Sequence, residues 1–210
     1  MSTLGHLIMD YHFEVLDKSI VYSGFFRMEK YRLRHQLFAG GWSPAISREC
    51  LERGHAVAVL PYDPDRDQVV MLEQFRIGAL EVPDGPWLLE IVAGIIGPGE
   101  DKLDVARREA REEAGCELLN IVPIGEYLVS PGGTSESITL YCGRVDTTGI
   151  GGVHGLAEEH EDIRVQVLPT QEAMRLLHGG RILSATPLIA LQWLALNRES
   201  LRTRWGQAGA

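Results

Sequence analysis

Three glutamates on one predicted helix are the side chains of this sequence best placed to do chemistry. Glu109, Glu112 and Glu113 stand at positions i, i+3 and i+4 of the charged segment Lys102 to Ala114, so a helix would present their carboxylates on one face. Carboxylate oxygens are hard ligands that suit Mg²⁺ or Mn²⁺ and suit zinc poorly. The spacing therefore indicates a divalent-metal site, which the phosphate oxygens of a substrate would complete.

The alternative for this segment is a solvated helix laced with salt bridges, in which Arg108 would pair with Glu112 four residues later. A turn before the helix favours the metal site, because it carries a further acid, Glu100. Its glycines would let backbone carbonyls approach the helix face closely. Those glycines are Gly94, Gly97 and Gly99.

The segments around this helix predict an α/β fold with mixed strand pairing. Residues 11 to 38 are rich in β-branched and aromatic side chains and predict two or three antiparallel strands, a small N-terminal β unit. Asp101 and Gly115 are the expected N-cap and C′ residues of the helix. The other predicted elements are a hairpin in AVAVLPYD and QVVMLEQFR, strands in ELLNIVPIGEYLVS, SITLYCGRVD and IRVQVL, a flexible loop from Gly149 to Gly155, and closing helices in TQEAMRLLHGG and SATPLIALQWLALNRESLRTRW.

Composition excludes several classes of protein. The chain has 210 residues, of which 45% are apolar, so it can bury a core without disulfides or a structural metal. A net charge of −9 argues against a nucleic-acid partner, and the lack of a run of ~18 apolar residues argues against a membrane partner. Three cysteines without a C-x-x-C pair predict reduced, buried thiols in a cytoplasmic protein.

The segment from Gly94 to Cys116, GIIGPGEDKLDVARREAREEAGC, resembles the Nudix box. That box is a glycine, five residues, a glutamate, seven residues, Arg-Glu, an aliphatic residue, one residue, Glu-Glu, one residue, a glycine and an aliphatic residue. Ala110 and Cys116 stand at the two aliphatic positions as small residues, a departure that concerns packing only. The positions in register are Gly94, Glu100, Arg108, Glu109, Glu112, Glu113 and Gly115.

This resemblance implies a Nudix α/β/α sandwich with a mixed sheet, plus a small N-terminal antiparallel β domain. Residues 1–54 would form the small domain, exchanged between the subunits of a homodimer, and residues 55–210 would form the hydrolase domain. The resemblance also implies that an ion pair between Glu100 and Arg108 ties the turn to the helix. It implies two or more Mg²⁺ ions, with Mn²⁺ as an alternative, held by Glu109, Glu112, Glu113 and the carbonyl of Ala93.

Outside the box the chain is similar to the ADP-ribose pyrophosphatase subgroup of the family, which cleaves ADP-ribose to AMP and ribose 5-phosphate. Pro131 lies 16 residues after Gly115, as in that subgroup. The loop HGLAEEHEDIRV resembles one that brings a carboxylate over the metals, which implies that Glu159 is the catalytic base and Glu161 a metal-side and substrate-side carboxylate. The resemblance further implies substrate contacts from Arg48, Arg76, Phe25 and Ser130.

Each of these implied roles has a structural alternative. The alternative for the acidic loop is a solvated loop, that for the segment at Ser130 is a plain turn, and that for Phe25 is a core residue rather than a ring stacked on adenine. His154 and His160 are interpreted as loop residues rather than zinc ligands. The rival functions are hydrolysis of another nucleoside diphosphate sugar and ADP-ribose binding without catalysis, although a silent module would be expected to lack box acids that are present here.

Overall fold

The computed structural model describes residues 11–206, apart from the side chain of Glu159. Backbone contacts divide these residues into two compact units. One unit comprises residues 11–53 with Val129–Glu136, and the other comprises Gly54–Leu128 with residues 137–206. The segment at Ser130, which the expected boundary at residue 54 assigned to the hydrolase domain, thus groups with the N-terminal strands. The outer ends of both expected domains, 1–10 and 207–210, lie outside the described residues.

The N-terminal unit is an antiparallel sheet of three strands in the order β1-β2-β3, which agrees with the predicted strands. Backbone and side-chain hydrogen bonds attach Val129–Glu136 to β3: Leu51 N–H donates to the Gly133 carbonyl over 2.8 Å, and Thr134 Oγ1 donates to the Leu51 carbonyl over 3.0 Å. The strands are β1 (Phe13–Ser23), β2 (Arg27–His35) and β3 (Ile46–Glu52).

This small sheet buries polar side chains instead of apolar ones. Among its described residues the buried side chains are Glu29, Ser43 and Glu136. Glu29 accepts a hydrogen bond from the Tyr31 hydroxyl over 2.7 Å and pairs with Lys18 over 2.9 Å, whereas every residue of β1 is exposed. A sheet of three strands normally needs a covered apolar face to be stable, and this unit does not cover one by itself.

The larger unit is built on a mixed sheet of eight strands. The main path is β10-β11-β5-β4-β9-β8, with β6 paired to β5 and β7 paired to β4. Only the β4–β9 pairing is parallel among the described strands. Its strands are β4 (Ala56–Asp63), β5 (Gln68–Phe75), β6 (Trp87–Glu90), β7 (Val92–Ile95), β8 (Ile121–Leu128), β9 (Ser137–Arg144), β10 (Gly152–His154) and β11 (Ile163–Pro169). Its helices are α1 (Lys102–Ala114), α2 (Thr170–His178) and α3 (Ala185–Gly206), with short 3₁₀ helices at Ile77–Ala79 and Ala157–Glu159.

Helices cover both faces of this sheet, which is the predicted α/β/α arrangement. Every residue of β4 is buried, as expected for a strand covered on both sides. Val57 and Val59 belong to the core that includes α1, through Val105 and neighbouring residues. Leu60 belongs to the opposite core, which includes Leu191 and other residues of α2 and α3. The alternation of side chains along a strand thus divides the core into two layers.

Two local predictions need correction. The expected hairpin of β4 and β5 is paired only next to its turn, through Tyr62 with Val69 and Asp63 with Gln68. Beyond that point β7 pairs with β4 and β6 with β5, so the strands of the apolar segment WLLEIVAGII pair separately with β4 and β5. The glycine-rich stretch from Gly149 to Gly155 contains the short strand β10 rather than being wholly loop.

The three thiols are free, as predicted. Cys116 and Cys142 are buried, but Cys50 is only partly buried, because it lies on the small exposed sheet. Burial raises the pKa of the Cys116 thiol to about 12, so this thiol is neutral near neutral pH. Within residues 11–206, no helix is long and apolar enough to cross a membrane.

A buried carboxylate holds the turn between β4 and β5 against the segment that follows β9. Asp63 is 1% exposed. Its Oδ1 accepts the backbone N–H groups of Asp65 and Arg66, and its Oδ2 accepts both the N–H and the hydroxyl of Thr147 at 3.0 and 2.8 Å. Burial alone would raise the pKa of Asp63, but these hydrogen bonds outweigh it and lower the pKa to about 2.

We expect Asp63→Asn to destabilise the protein by about 2–4 kcal/mol, because the new amide would direct N–H groups at other donors. The folded-state pKa lies below the usual value, so the charged form stabilises the fold above about pH 4 and that contribution is lost as pH falls through 2. Urea unfolding at pH 7 and at pH 3 measures this. Asp65→Asn, at a more exposed aspartate in the same turn, is the control and should change stability little. A penalty that does not shrink on acidification would contradict the prediction.

Candidate active site

Helix α1 begins and ends where the sequence predicts, which fixes the rotation of its three glutamates about the helix axis. The Asp101 carboxylate accepts the N–H groups of Leu103 and Asp104, and Gly115 closes the helix in the left-handed region with φ of 62°. The face that bears Val105, Ala106 and other apolar residues packs into the core. The caps and the apolar stripe together determine which acids lie next to the sheet.

Glu113 is the acid that the fold buries. Its side chain is 3% exposed, and its Oε2 accepts the backbone N–H of Ala93 on β7 over 3.0 Å. The pKa of Glu113 is raised to about 8, mainly by burial; the nearby carboxylates of Glu109 and Glu161 act in the same direction, and the Ala93 hydrogen bond and Arg76 oppose the shift. Glu109 on α1 and Glu161 on the loop before β11 therefore both repel the charged form of Glu113.

Gly94 on β7 leaves the space that the Glu109 side chain occupies. A Cβ placed on Gly94 would lie 2.2 Å from Cδ of Glu109, a distance that no real contact adopts. The absence of a side chain at Gly94 therefore allows the Glu109 carboxylate to lie directly against the strand. This explains physically why the first position of the box is a glycine.

We expect Gly94→Ala to displace the Glu109 carboxylate while leaving the fold intact, because the clashing atoms belong to the far end of a flexible side chain. Catalysis should fall by about 10- to 100-fold, the size of effect that a shift of about 1 Å can have, with little change in Tm. Gly125→Ala on β8, where a Cβ meets nothing within 4 Å, is the matched control. Equal activity in the two variants would refute the prediction.

The ion pair implied by the box is present. Arg108 lies 3.6 Å from Glu100 and 3.1 Å from Glu109, and Glu100 also accepts the N–H of Gly97 over 2.7 Å. The Arg108 to Glu112 bridge of the solvated-helix alternative is not formed among the described residues. Arg108 therefore holds the glycine-rich turn and Glu109 together.

Arg76 lies immediately after β5 and is oriented by a residue that the sequence reasoning missed. Its Nε donates to Oε2 of Glu90 over 2.7 Å, and Gln74 donates to the same oxygen over 3.3 Å. Glu90 is largely buried, with 13% of its side chain exposed. In the sequence, Glu90 stands out only as the single acid inside the apolar segment WLLEIVAGII. Its contact with Arg76 forms because β6 pairs with β5.

The acidic loop between β10 and β11 is closed by two hydrogen bonds at its base. The Leu156 N–H donates to the Glu161 carboxylate over 3.2 Å, and the Glu161 N–H donates to the Leu156 carbonyl over 3.2 Å. Glu158 is exposed, whereas the side chain of Glu159 lies outside the described part of the chain. The structure thus places Glu161 among the acids near Glu113 and does not test the role of Glu159.

The other three expected substrate residues lie in the N-terminal unit. Phe25 is 89% exposed, so the core interpretation of it is wrong, and it meets the Phe26 ring edge-on at 4.8 Å. Arg48 is exposed and donates to the Ser47 carbonyl over 2.8 Å. Ser130 is exposed, and its carbonyl accepts the N–H groups of Gly133 and Thr134 over 3.0 Å, which makes a tight turn. Their contacts to substrate remain predictions.

The residues around Glu113 fit a hard divalent cation. The donors are carboxylate and carbonyl oxygens, and a buried carboxylate beside two others is a place where positive charge would offset repulsion. In residues 11–206, Glu159 side chain excepted, no three His, Cys, Asp or Glu side chains stand close enough to hold an ion as they are. The acids therefore approach one another without forming a finished coordination shell.

The sequence of this chain is similar to those of known proteins. The NUDIX domain profile matches residues 52–187. The chain is 48% identical to the ADP-ribose pyrophosphatase of Escherichia coli strain K12 over 91% of this chain and 92% of that protein. It is 42% identical to the ADP-ribose pyrophosphatase of Haemophilus influenzae over 98% of this chain and 95% of that protein.

A crystal structure described as an ADP compounds hydrolase has the same fold, with a TM-score of 0.67 at 20% identity over 91% of this chain and 95% of that one. The Nudix ADP-ribose pyrophosphatases generally use divalent metal ions, which agrees with the oxygen donors around Glu113. The matched profile spans most of the chain and includes the whole glutamate helix. This chain therefore belongs to the Nudix family.

Proposed function

We propose that this protein is a Mg²⁺-dependent ADP-ribose diphosphatase that hydrolyses the pyrophosphate bond of ADP-ribose to AMP and ribose 5-phosphate. The observation that carries the proposal is the similarity, at 42–48% identity and nearly full length, to two proteins named ADP-ribose pyrophosphatase. The geometry of the site also supports the proposal, because Glu113 is buried near other carboxylates. The free thiols accord with a cytoplasmic enzyme.

The metal ligands in this proposal are five groups of the larger unit. Two or more Mg²⁺ ions, or Mn²⁺ in their place, would be held by Glu109, Glu112, Glu113, Glu161 and the carbonyl of Ala93. Bound there, the cations would lower the pKa of a coordinated water and neutralise charge on the phosphoryl oxygens. The carboxylates balance the charge of the cations, and Glu113 is kept in place by the Ala93 N–H.

Glu159 is the proposed general base. It accepts a proton from the attacking water as the water oxygen bonds to phosphorus and the bridging P–O bond breaks, so that one product leaves as AMP and the other as ribose 5-phosphate. Its position on a loop that follows the glycine-rich stretch Gly149 to Gly155 allows the base to approach bound substrate. Arg76, already oriented by Glu90, contacts the phosphates.

The N-terminal unit supplies the remaining proposed substrate contacts. Phe25 has the exposed ring face that stacking on adenine requires. Arg48 carries an exposed guanidinium suited to a phosphate or ribose oxygen, and Ser130 presents a hydroxyl on the exposed turn that joins this unit. Each contact can be tested by its effect on KM.

Product analysis tests the proposed function directly. Purified protein with Mg²⁺ should convert ADP-ribose to AMP and ribose 5-phosphate, and EDTA should abolish the conversion. In ¹⁸O-labelled water, the label in one product phosphate identifies the phosphorus attacked. A clear preference for another nucleoside diphosphate sugar in a substrate panel would overturn the substrate, and tight ADP-ribose binding without turnover would overturn the enzyme.

We further propose that the working form is a homodimer in which a second copy covers the small N-terminal sheet. The sheet exposes large apolar side chains, among them Phe13, Ile20 and Tyr22 at 71, 56 and 65%, and a small sheet gains its stability from packing such a face. We expect a dimer in sedimentation velocity and a fall in specific activity on dilution below its Kd. A monomer that stays fully active when dilute would contradict the proposal.

A further inference from the structure

The base of the acidic loop is attached to the end of the carboxylate helix. The backbone N–H of Gly155 donates to the carbonyl of Glu112 over 3.3 Å. Carbonyls in the last turn of a helix have no partner within the helix, so this bond gives one of them a partner from outside. The first residue of the loop thus contacts the main chain of a residue whose side chain is a proposed metal ligand.

His154, the last residue of β10, lies at the same junction. Its ring lies against Gly115 so closely that a Cβ on that glycine would be 2.8 Å from Cε1 of the imidazole. Its Nε2 is 3.0 Å from the Gly151 carbonyl, and its backbone pairs with Ile163 of β11, which is fully buried. One side chain therefore contacts the end of α1 and the turn before β10, and its backbone lies in the sheet.

The two ends of the loop beyond His154 are held together, so the loop would move as one unit. Gly155 has a φ of 103°, and a Cβ on it would lie 2.7 Å from Cβ of Glu161, so the two ends of the loop touch. The reciprocal hydrogen bonds between Leu156 and Glu161 close the base. A displacement of that base relative to α1 would displace every acid on the loop.

We propose that His154 is a positioning residue for the hydrolysis. Its ring, packed against Gly115, sets the distance between the base of the acidic loop and the end of α1, and so sets where the loop carboxylates lie relative to those of the helix. This inference rests on the proposed function. It also accounts for Gly115 beyond its role as a helix cap, because any side chain there would meet the imidazole.

The first test is His154→Ala. We expect kcat for ADP-ribose to fall by about 10- to 100-fold, as for a misplaced catalytic group, with KM changed by no more than about threefold and circular dichroism unchanged. His160→Asn, at an exposed histidine of the same loop whose φ of 56° asparagine tolerates, is the control and should keep normal kcat. A normal kcat in His154→Ala would overturn the proposal.

A second measurement does not depend on activity. Hydrogen exchange at Gly155, Leu156 and Glu161 should be about tenfold faster in His154→Ala, while exchange in the core of β4 stays unchanged. The N–H of Gly155 bonds to the end of α1 and the other two close the loop base, so all three open more often when the junction loosens. Unchanged exchange at the loop base would overturn the positioning role even if the variant were inactive. If the wild type does not hydrolyse ADP-ribose, the proposed function fails, and the exchange result still decides the role of His154.

A double-mutant cycle tests the contact itself. Gly115→Ala carries strain from its left-handed φ in any background, but its clash exists only with the imidazole present. The loss of Tm on Gly115→Ala should therefore be smaller in the His154→Ala background than in the wild type. Equal losses in the two backgrounds would overturn the packing of His154 on Gly115.

Discussion

Glu113→Gln should remove nearly all turnover of ADP-ribose, by about 10³-fold or more, while the protein stays folded. The amide oxygen of glutamine can still accept the Ala93 N–H that Glu113 now accepts, so the local packing survives. What is lost is the carboxylate that would ionise to hold the metal, a ligand that metal-dependent transition-state stabilisation requires. Steady-state kinetics at saturating Mg²⁺ measure the loss.

Thermal unfolding separates this effect from misfolding. Wild-type protein should gain Tm on addition of Mg²⁺ and Glu113→Gln should gain much less, because ligand binding stabilises only a competent site. Glu117→Gln, an exposed glutamate just beyond the helix, is the control and should behave as wild type in both assays. Wild-type turnover in Glu113→Gln would refute the metal role.

The raised pKa of Glu113 also determines how the stability of the metal-free protein should depend on pH. Burial, reinforced by Glu109 and Glu161, raises the folded-state pKa of Glu113 to about 8 from its usual value near 4.5. The folded protein therefore keeps a proton that the unfolded chain has lost, and the free energy of unfolding falls as pH rises from about 4.5 to 8. In EDTA, the free energy of unfolding of Glu113→Gln should not show this fall. The difference in Tm between Glu113→Gln and the wild type should therefore shift in favour of the variant as pH rises from about 4.5 to 8.

Glu159→Gln should lower kcat by about 10²–10⁴-fold, the usual effect of removing a general base, with a smaller change in KM. Glutamine has nearly the same shape and can fill the same space, but it cannot take a proton from water. In this variant kcat should therefore be lower, and it should no longer depend on pH through the ionisation of the base. A pH–rate profile of kcat checks both.

Glu158→Gln is the matched control for this variant. Glu158 precedes Glu159 in the same 3₁₀ turn and is exposed, so its loss should leave kcat within about twofold of wild type if it holds no reacting atom. A near-normal kcat in Glu159→Gln, with a large loss in Glu158→Gln or Glu161→Gln, would move the base to another acid of the loop.

The helix and its chemistry could be predicted from the sequence because their signals are local. The cap at Asp101, the left-handed cap at Gly115 and the i, i+3, i+4 spacing of the glutamates act within a few residues, and the structure reproduces α1 between the predicted ends. The apolar run AVAVLPYD, followed by a polar turn, likewise predicted a well-buried strand. Such signals depend on backbone geometry that every helix or strand shares.

Pairing partners were less predictable, because they depend on residues far apart in the chain. Nothing local to AVAVLPYD indicates that β7 and β9 pair with β4 while β5 contacts it only at the turn. The hydrogen bonds between Val129–Glu136 and β3 likewise join residues that lie far apart in the chain. Strand pairing is a competition among many similar segments, and only the assembled sheet decides it.

The sequence by itself determined the spacing of the acids and glycines and hence a divalent-metal site, since charge and chain flexibility are properties of residue types, and its resemblance to the Nudix box implied the reaction. Only the tertiary structure decided which of three glutamates is buried, that Glu90 orients Arg76, and that His154 lies against Gly115. The reason is that burial and contact arise from packing between segments distant in sequence. A histidine that looked like an ordinary loop residue thus lies at the junction of helix and loop.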